Sequence, residues 1–230
     1  YDKIKGKALI IRRSDKGESI TLIAKEAEKK LEKDMLVIAD KERSIAIGGV
    51  MGGLNTKVTE GTKNILLESA YFNPVSVRRT SRNLTVASES SYRFERSVDP
   101  GMVLPASDRT ALLIAEICGG EIAELVDKGE KPKEKTKISL RINRLNQVLG
   151  LKLKETYVKN VLSKLCLKVT LGKKGILRVF PPSFRQDIKG EFDLIEEVAR
   201  IYGYENISGT IPEIVPNPER KSVFWQAKEK

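Results

Sequence analysis

The chain has 230 residues, 40% of them hydrophobic, which is enough apolar material for one ordinary core or two small ones. No run of about eighteen consecutive apolar residues occurs, which excludes a membrane-spanning helix, and Tyr1 to Lys7 lack the apolar centre of a secretory signal. The 42 Lys and Arg against 31 Asp and Glu give a formal charge of +11, equally compatible with a polyanionic partner such as RNA and with a Lys-rich solvated surface.

In chain order, Lys7 to Arg12 and Met35 to Ala39 are short apolar runs of buried-strand type, and Ile45 to Val50 and Ile65 to Glu68 repeat the pattern. Turn signals separate them at Asp15-Lys16-Gly17, Gly52-Gly53 and Glu60-Gly61. Phe72-Asn73-Pro74 predicts a helix start, with Asn as cap and Pro in the first turn, and a short basic helix runs to about Leu84. A second helix spans roughly Pro105 to Cys118 and stops at Gly119-Gly120. The segment from Asp127 to Lys137 is charged, carries Gly129 and Pro132 and has no apolar period, so it marks a boundary, and its mixed charges suit a solvated linker. Beyond it, Ile138, Leu140 and Ile142 alternate as a strand, and Asn143 is expected to cap a short helix ending at Gly150. Glu155 to Leu165 is amphipathic, with Val158, Val161, Leu162 and Leu165 on one face. Strands Leu167 to Leu171 and Ile176 to Phe180 flank a Gly172-Lys173-Lys174-Gly175 hairpin, and a helix over Glu191 to Tyr202 stops at Gly203. The fold class is α+β: a mixed α/β module over 1–127, a linker at 128–137, and a small winged-helix-like α+β module over 138–207. Residues 208–230 read as the start of a further module, and the chain as an interior piece of a longer protein.

The chemistry-bearing residues are few. The chain has no His, which excludes Ser-His and Cys-His nucleophilic sites and His-ligated metals within it. Cys118 and Cys166 have no metal-ligand spacing and read as reduced core thiols of a cytosolic protein. Glu68 closes the apolar run Ile65-Leu66-Leu67 beside small residues; it is either a strand-end carboxylate reaching solvent or a partner for an Arg such as Arg78. Asp193, Glu196 and Glu197 share one helix face at i, i+3 and i+4, with Asp187 just before the helix. Acids at a helix N-terminus favour the macrodipole, and spacing alone gives that explanation more weight than a hard-cation site.

Longer segments resemble a known family. Ile45-Ala46-Ile47-Gly48-Gly49-Val50-Met51-Gly52-Gly53, Asn64 to Phe72, Ser91 to Arg96 with Asp99-Pro100, Ser183 to Ile188, and Asp193 to Tyr204 are similar, in that order, to the phenylalanine–tRNA ligase beta subunit. The resemblance implies part of a tRNA-editing module that hydrolyses mischarged Tyr-tRNA, followed by a small module that contacts the catalytic alpha subunit. Glu68 matches the family's specificity carboxylate and Gly52 a glycine lining the same pocket. Ser88 and Ser90 fall where the family has Thr and Ala in a Thr-Asp-Ala-Ser run, here Ser88-Glu89-Ser90-Ser91, and Ser97 stands where a Gly is usual. No catalytic nucleophile is implied. Asp187, Asp193, Glu196 and Glu197 match Mg²⁺ ligands, and residues 208–230 the start of a catalytic-like module.

The whole enzyme implied is a cytoplasmic aminoacyl-tRNA synthetase, two alpha and two beta subunits, which attaches phenylalanine to its tRNA using ATP bound on the alpha subunit. A His-containing segment that contributes to the family's editing site lies upstream of the pair matching Tyr1-Asp2, so this piece alone is expected to edit poorly. The rival is a non-enzymatic winged-helix nucleic-acid-binding protein. Against it, Asn143 to Gly150 is short for a recognition helix, and no helix groups Arg, Asn and Gln as base readers. A free-standing editing hydrolase would not need the second module.

Overall fold

The structure is a computed structural model that describes residues 1–24, 28–129 and 136–209. It divides into two compact units, Tyr1–Ile138 with Phe180–Lys189, and Ser139–Val179 with residues from Gly190 onward.

In the first unit, β1 (Ile10–Arg13), β4 (Leu36–Ala39), β5 (Ser44–Ile47) and β6 (Met51–Gly52) form an antiparallel sheet in the order β1-β4-β5-β6. A separate antiparallel pair, β2 (Ser19–Thr21) and β3 (Glu28–Lys30), joins it through the Leu22–Gly53 bridge. The apolar runs at β4 and β5 are buried on both faces, and Val37, Ile47, Val50 and Leu22 centre a core closed by Phe72 and Val77. The turn between β5 and β6 is Gly48-Gly49-Val50, one pair upstream of the Gly52-Gly53 turn expected from sequence. Gly49 sits at φ +70°, and a Cβ there would come within 2.9 Å of Phe72 and Val77, so only glycine fits.

Helix α1 (Pro74–Asn83) begins as its sequence predicts, the Asn73 side chain accepting the Ser76 N–H at 3.1 Å with Pro74 in the first turn. A short helix, α2 (Glu89–Phe94), packs against it and is fixed by a reciprocal cap: Ser91 N–H donates to Ser88 Oγ and Ser88 N–H to Ser91 Oγ, both at 2.9 Å. Helix α3 (Val103–Cys118) starts two residues before Pro105, ends at Gly119 and buries none of its residues.

Three further expectations fail, the last of them in both units. Ile65 to Glu68 is not a strand, because no neighbouring segment offers it a ladder, and Ile65, Leu66 and Leu67 are exposed. The first apolar run forms β1, but β1 is a sheet edge paired only with β4, and Ile10 and Ile11, on its two opposite faces, are both exposed. Cys118 is an exposed residue at the end of α3, and Cys166, in the second unit, is exposed in a tight turn at φ +62°, so neither is a core thiol.

The second unit follows its pattern closely. Strands β7 (Ile138–Arg141), β9 (Ile176–Phe180) and β8 (Lys168–Leu171) lie side by side in that order. Helices α4 (Ile142–Leu149), α5 (Glu155–Lys164) and α6 (Glu191–Tyr202) supply Leu145, Val158, Leu162, Leu194 and Val198 to a core shared with Leu140, Leu177 and Val179. The α5–α6 contact includes Tyr157 edge-on to Tyr202 at 6.3 Å. Asn143 does not cap α4; the strand passes into the helix at Arg141-Ile142 without a side-chain cap, and the Arg141 backbone N–H donates instead to Glu191. Gly150 ends α4 in the left-handed conformation. Both units mix helices with sheets, so the fold class is α+β. The proposed module start at 208–230 lies outside the described residues from 210 onward.

Candidate functional site

The β5–β6 turn, the extended segment leading to Phe72, helix α2 and the start of α3 enclose a cleft of about 500 Å³ in the first unit. Three of the four candidate pocket residues line it: Gly52, Glu68 and Ser90. The extended segment is pinned where it passes α3, Ser69 Oγ donating to the Val103 carbonyl at 2.7 Å. This tie, rather than strand pairing, fixes Glu68 at the cleft rim. Its carboxylate makes no hydrogen bond or ion pair among the described residues, so the Arg78 pairing does not form. Glu68 still meets solvent, yet the protein surrounding the concave rim removes enough water to push its carboxyl above the usual carboxylate range.

Ser90 donates from Oγ to the Gly49 carbonyl at 3.2 Å, tying α2 to the glycine turn. Ser88 does not line the cleft. Its hydroxyl caps α2 and donates to the Val50 carbonyl at 2.5 Å, so its role is to hold the wall in register. A Cβ on Gly52 would lie 3.1 Å from Ile23 Cδ1, a tight contact that a small shift of that exposed side chain would relieve. Ser97, in place of the usual Gly, sits at φ +72°, which explains why glycine suits that position.

Sequence reasoning did not single out Phe72 and Phe94, which pack edge to face at 4.9 Å in the wall, nor Met102 and Ala106 at the start of α3. The two Phe residues fall inside the family-like segments, and that was the available signal; α3 was legible as a helix, but which of its residues meet the cleft is decided by tertiary contact. The result is a largely apolar slot with two carboxylates, Glu68 without a partner and Asp99 accepting the Gly101 N–H, and the hydroxyls of Ser69 and Ser90. No His occurs in the chain, and Ser90 has a backbone carbonyl as its partner, so the slot offers no activated nucleophile among the described residues.

The acidic candidates are engaged differently. Asp193 accepts the Gly190 N–H at 2.8 Å, a cap of α6, and Glu197 accepts from Arg200 at 2.7 Å. Glu196 is exposed, and Asp187 accepts a two-pronged contact from Arg185 at 3.0 and 2.6 Å. Glu191, which sequence reasoning passed over, is the most constrained acid on α6. Arg141 holds its carboxyl below the usual range by hydrogen bonding and charge, against the opposing effect of burial. No group of three or more His, Cys, Asp or Glu among the described residues is placed to hold a metal ion.

The family model of the B3/4 domain matches residues 1–119, and that of the tRNA synthetase B5 domain matches residues 138–204. Among curated proteins, the phenylalanine–tRNA ligase beta subunit of Moorella thermoacetica is 46% identical over 213 residues, covering 92% of this chain and 26% of the relative. That of Syntrophus aciditrophicus is 42% identical over 222 residues, covering 93% and 27%. The chain thus spans about a quarter of the length of the curated relatives it matches. An N-terminal fragment of the phenylalanyl-tRNA synthetase beta subunit from Pyrococcus horikoshii aligns at TM-score 0.46 and 16% identity, covering 89% of this chain and 58% of that one, too loose a likeness to argue from. With more than half its length matched, the chain belongs to the B3/4 domain family and carries a tRNA synthetase B5 domain after it, the pairing expected of a phenylalanine–tRNA ligase beta subunit.

Proposed function

We propose that the cleft is the aminoacyl-binding part of an editing site for mischarged Tyr-tRNA, within a cytoplasmic phenylalanine–tRNA ligase. Its ATP-dependent ligation belongs to a partner alpha subunit. The physical need is clear: an apolar pocket rejects an added hydroxyl by only about a hundredfold, so a second site must select for the phenol. Glu68 supports this reading most. An unpartnered carboxylate, partly stripped of water at the rim of an apolar slot, is suited to accept a phenolic O–H. Phenylalanine offers no such donor, so tyrosine alone gains a hydrogen bond to a charged group, a difference of about 1.5–3 kcal/mol. Phe72 and Phe94 supply the edge and face surfaces that an aromatic ring packs against.

Hydrolysis then needs no side-chain nucleophile. Water adds to the ester carbonyl, the bond to the ribose oxygen breaks, and the proton passes to that oxygen, with the terminal tRNA hydroxyl and the cleft orienting the water. The residues of the chain bind and orient; Ser88 and Ser90 keep the glycine turn against α2. The B5 region is assigned to contact with the alpha subunit. Asp187, Asp193, Glu196 and Glu197 are proposed as Mg²⁺ ligands on the resemblance alone, and no step is routed through the ion. The winged-helix rival gains nothing from the eight-residue α4.

The test is deacylation of Tyr-tRNA and Phe-tRNA by the chain and by a form extended at its N-terminus through the His-containing segment, each compared with its Glu68→Ala variant. Preferential loss of tyrosine hydrolysis in the variant supports the assignment. Tyr-tRNA hydrolysis that is indifferent to Glu68 refutes it.

A further inference from the structure

Helix α1 leaves the cleft wall directly after Phe72 and presents two unlike faces. Val77, Thr80 and Ser81 are buried against the first unit's core. Val75, Arg78, Arg79 and Arg82 recur at i, i+3, i+4 and i+7, so they share the opposite face, and all four are exposed. The helix contains no acidic residue. None of the three guanidinium groups makes a hydrogen bond or ion pair among the described residues. That sets them apart from the arginines on and just after α2, where Arg93 pairs with Glu89 and Arg96 with Glu95. A fourth cation adjoins them: Arg13 donates to Ser76 Oγ at 3.3 Å in the first turn of α1. At the C-terminal end of the helix Glu32 accepts from Asn83 at 2.8 Å rather than from an arginine.

Charges that stabilised the fold would be paired, and charges that served only solubility would be interspersed with acids, as they are on α2. Three uncompensated guanidiniums on one rigid face, about 6 Å from Arg78 to Arg82 along the axis, instead suit a row of phosphates, which planar guanidinium binds two-pronged. We propose that the Arg78, Arg79 and Arg82 face of α1 is a docking surface for RNA phosphates that holds the acceptor end of a tRNA while its terminal ester lies in the adjoining cleft. This rests on the editing reading and adds the surface that would deliver its substrate.

Binding of a tRNA transcript to the full chain is measured by fluorescence anisotropy from low to moderate salt. Wild type is compared with Arg78→Gln/Arg79→Gln/Arg82→Gln and with a charge-matched control on exposed lysines, Lys152→Gln/Lys154→Gln/Lys164→Gln. Unchanged thermal unfolding confirms that each variant is folded. The arginine variant is expected to weaken binding roughly tenfold or more and to flatten the slope of log affinity against log salt by about two to three, while the control changes little. Equal effects of the two variants, an unchanged slope, no tRNA binding by the wild type, or displacement of tRNA by polyglutamate as readily as by RNA would each overturn the proposal. Deacylation separates the two readings. An arginine-dependent slope with Glu68-independent hydrolysis supports this surface and sinks the cleft assignment; the converse sinks the surface alone.

Discussion

Glu18 is the clearest test of what holds the first unit together. Its carboxylate takes both arms of Arg12 at 2.9 and 2.7 Å, the Ser44 hydroxyl at 2.5 Å and the Asp15 N–H at 3.2 Å, which joins β1, β5 and the loop before β2. The Arg12 hydrogen bonds, opposed by burial and helped by Ser44 and Asp15, lower its pKa from 4.5 to about 2. A group whose folded pKa is depressed contributes stability above its unfolded pKa and loses it as pH falls through the folded one. The contribution is therefore complete above 4.5 and is lost on acidification toward about 2. At about 1.4 kcal/mol per unit the shift has an upper value of about 3 kcal/mol. The Arg12 side chain is 33% exposed, so solvent screening leaves about 1–2 kcal/mol. Urea unfolding of wild type and Glu18→Gln, followed by hydrogen exchange of β1, β4 and β5 amides, should show that deficit at pH 7. The deficit should shrink steadily as the pH is lowered from 5 toward 2. A difference that stays constant with pH would refute the assignment of the stability to the ionised carboxylate.

Other consequences follow from single residues. Ser97→Gly relieves a left-handed backbone and should raise the thermal stability of the first unit by about 1 kcal/mol, read by calorimetry. Ser88→Ala removes the α2 cap and the tie to Val50, and should cost about 1–2 kcal/mol by urea unfolding while leaving the cleft residues themselves intact. Leu177→Ala empties a fully buried position in the second unit and should cost about 2–5 kcal/mol, with hydrogen exchange faster in β7–β9 and little changed in β4 and β5.

What was legible in the sequence depended on whether the cause was local. Asn73-Pro74 carries its own cap chemistry, and α6 has a clean apolar period closed by Gly203, so both helices stand where they are expected. The runs that became β4 and β5 needed only to be apolar on both faces. Ile65 to Glu68 reads equally well as a strand, but strand formation requires a partner, and pairing is not written in the segment itself. The same blindness hid the exposure of Ile10, Ile11 and the two cysteines. Of the cleft residues, Glu68 and Gly52 came from resemblance, because a carboxylate after three apolar residues has no intrinsic meaning. Ser88 shows the limit of position-by-position transfer: it lies beside the cleft, but its hydroxyl points into a cap and a backbone tether.

Ligand binding tests the role of Glu68 without depending on turnover. Non-hydrolysable tyrosyl- and phenylalanyl-adenosine analogues would be titrated calorimetrically into the wild-type chain and Glu68→Ala. The phenol-to-carboxylate contact predicts tyrosyl over phenylalanyl preference of roughly tenfold or more in the wild type. The preference should disappear in Glu68→Ala, and should fade in the wild type as pH drops through the raised carboxyl pKa, because protonation removes the charged acceptor. Equal affinity for the two analogues, or a tyrosyl preference that survives Glu68→Ala, would contradict it.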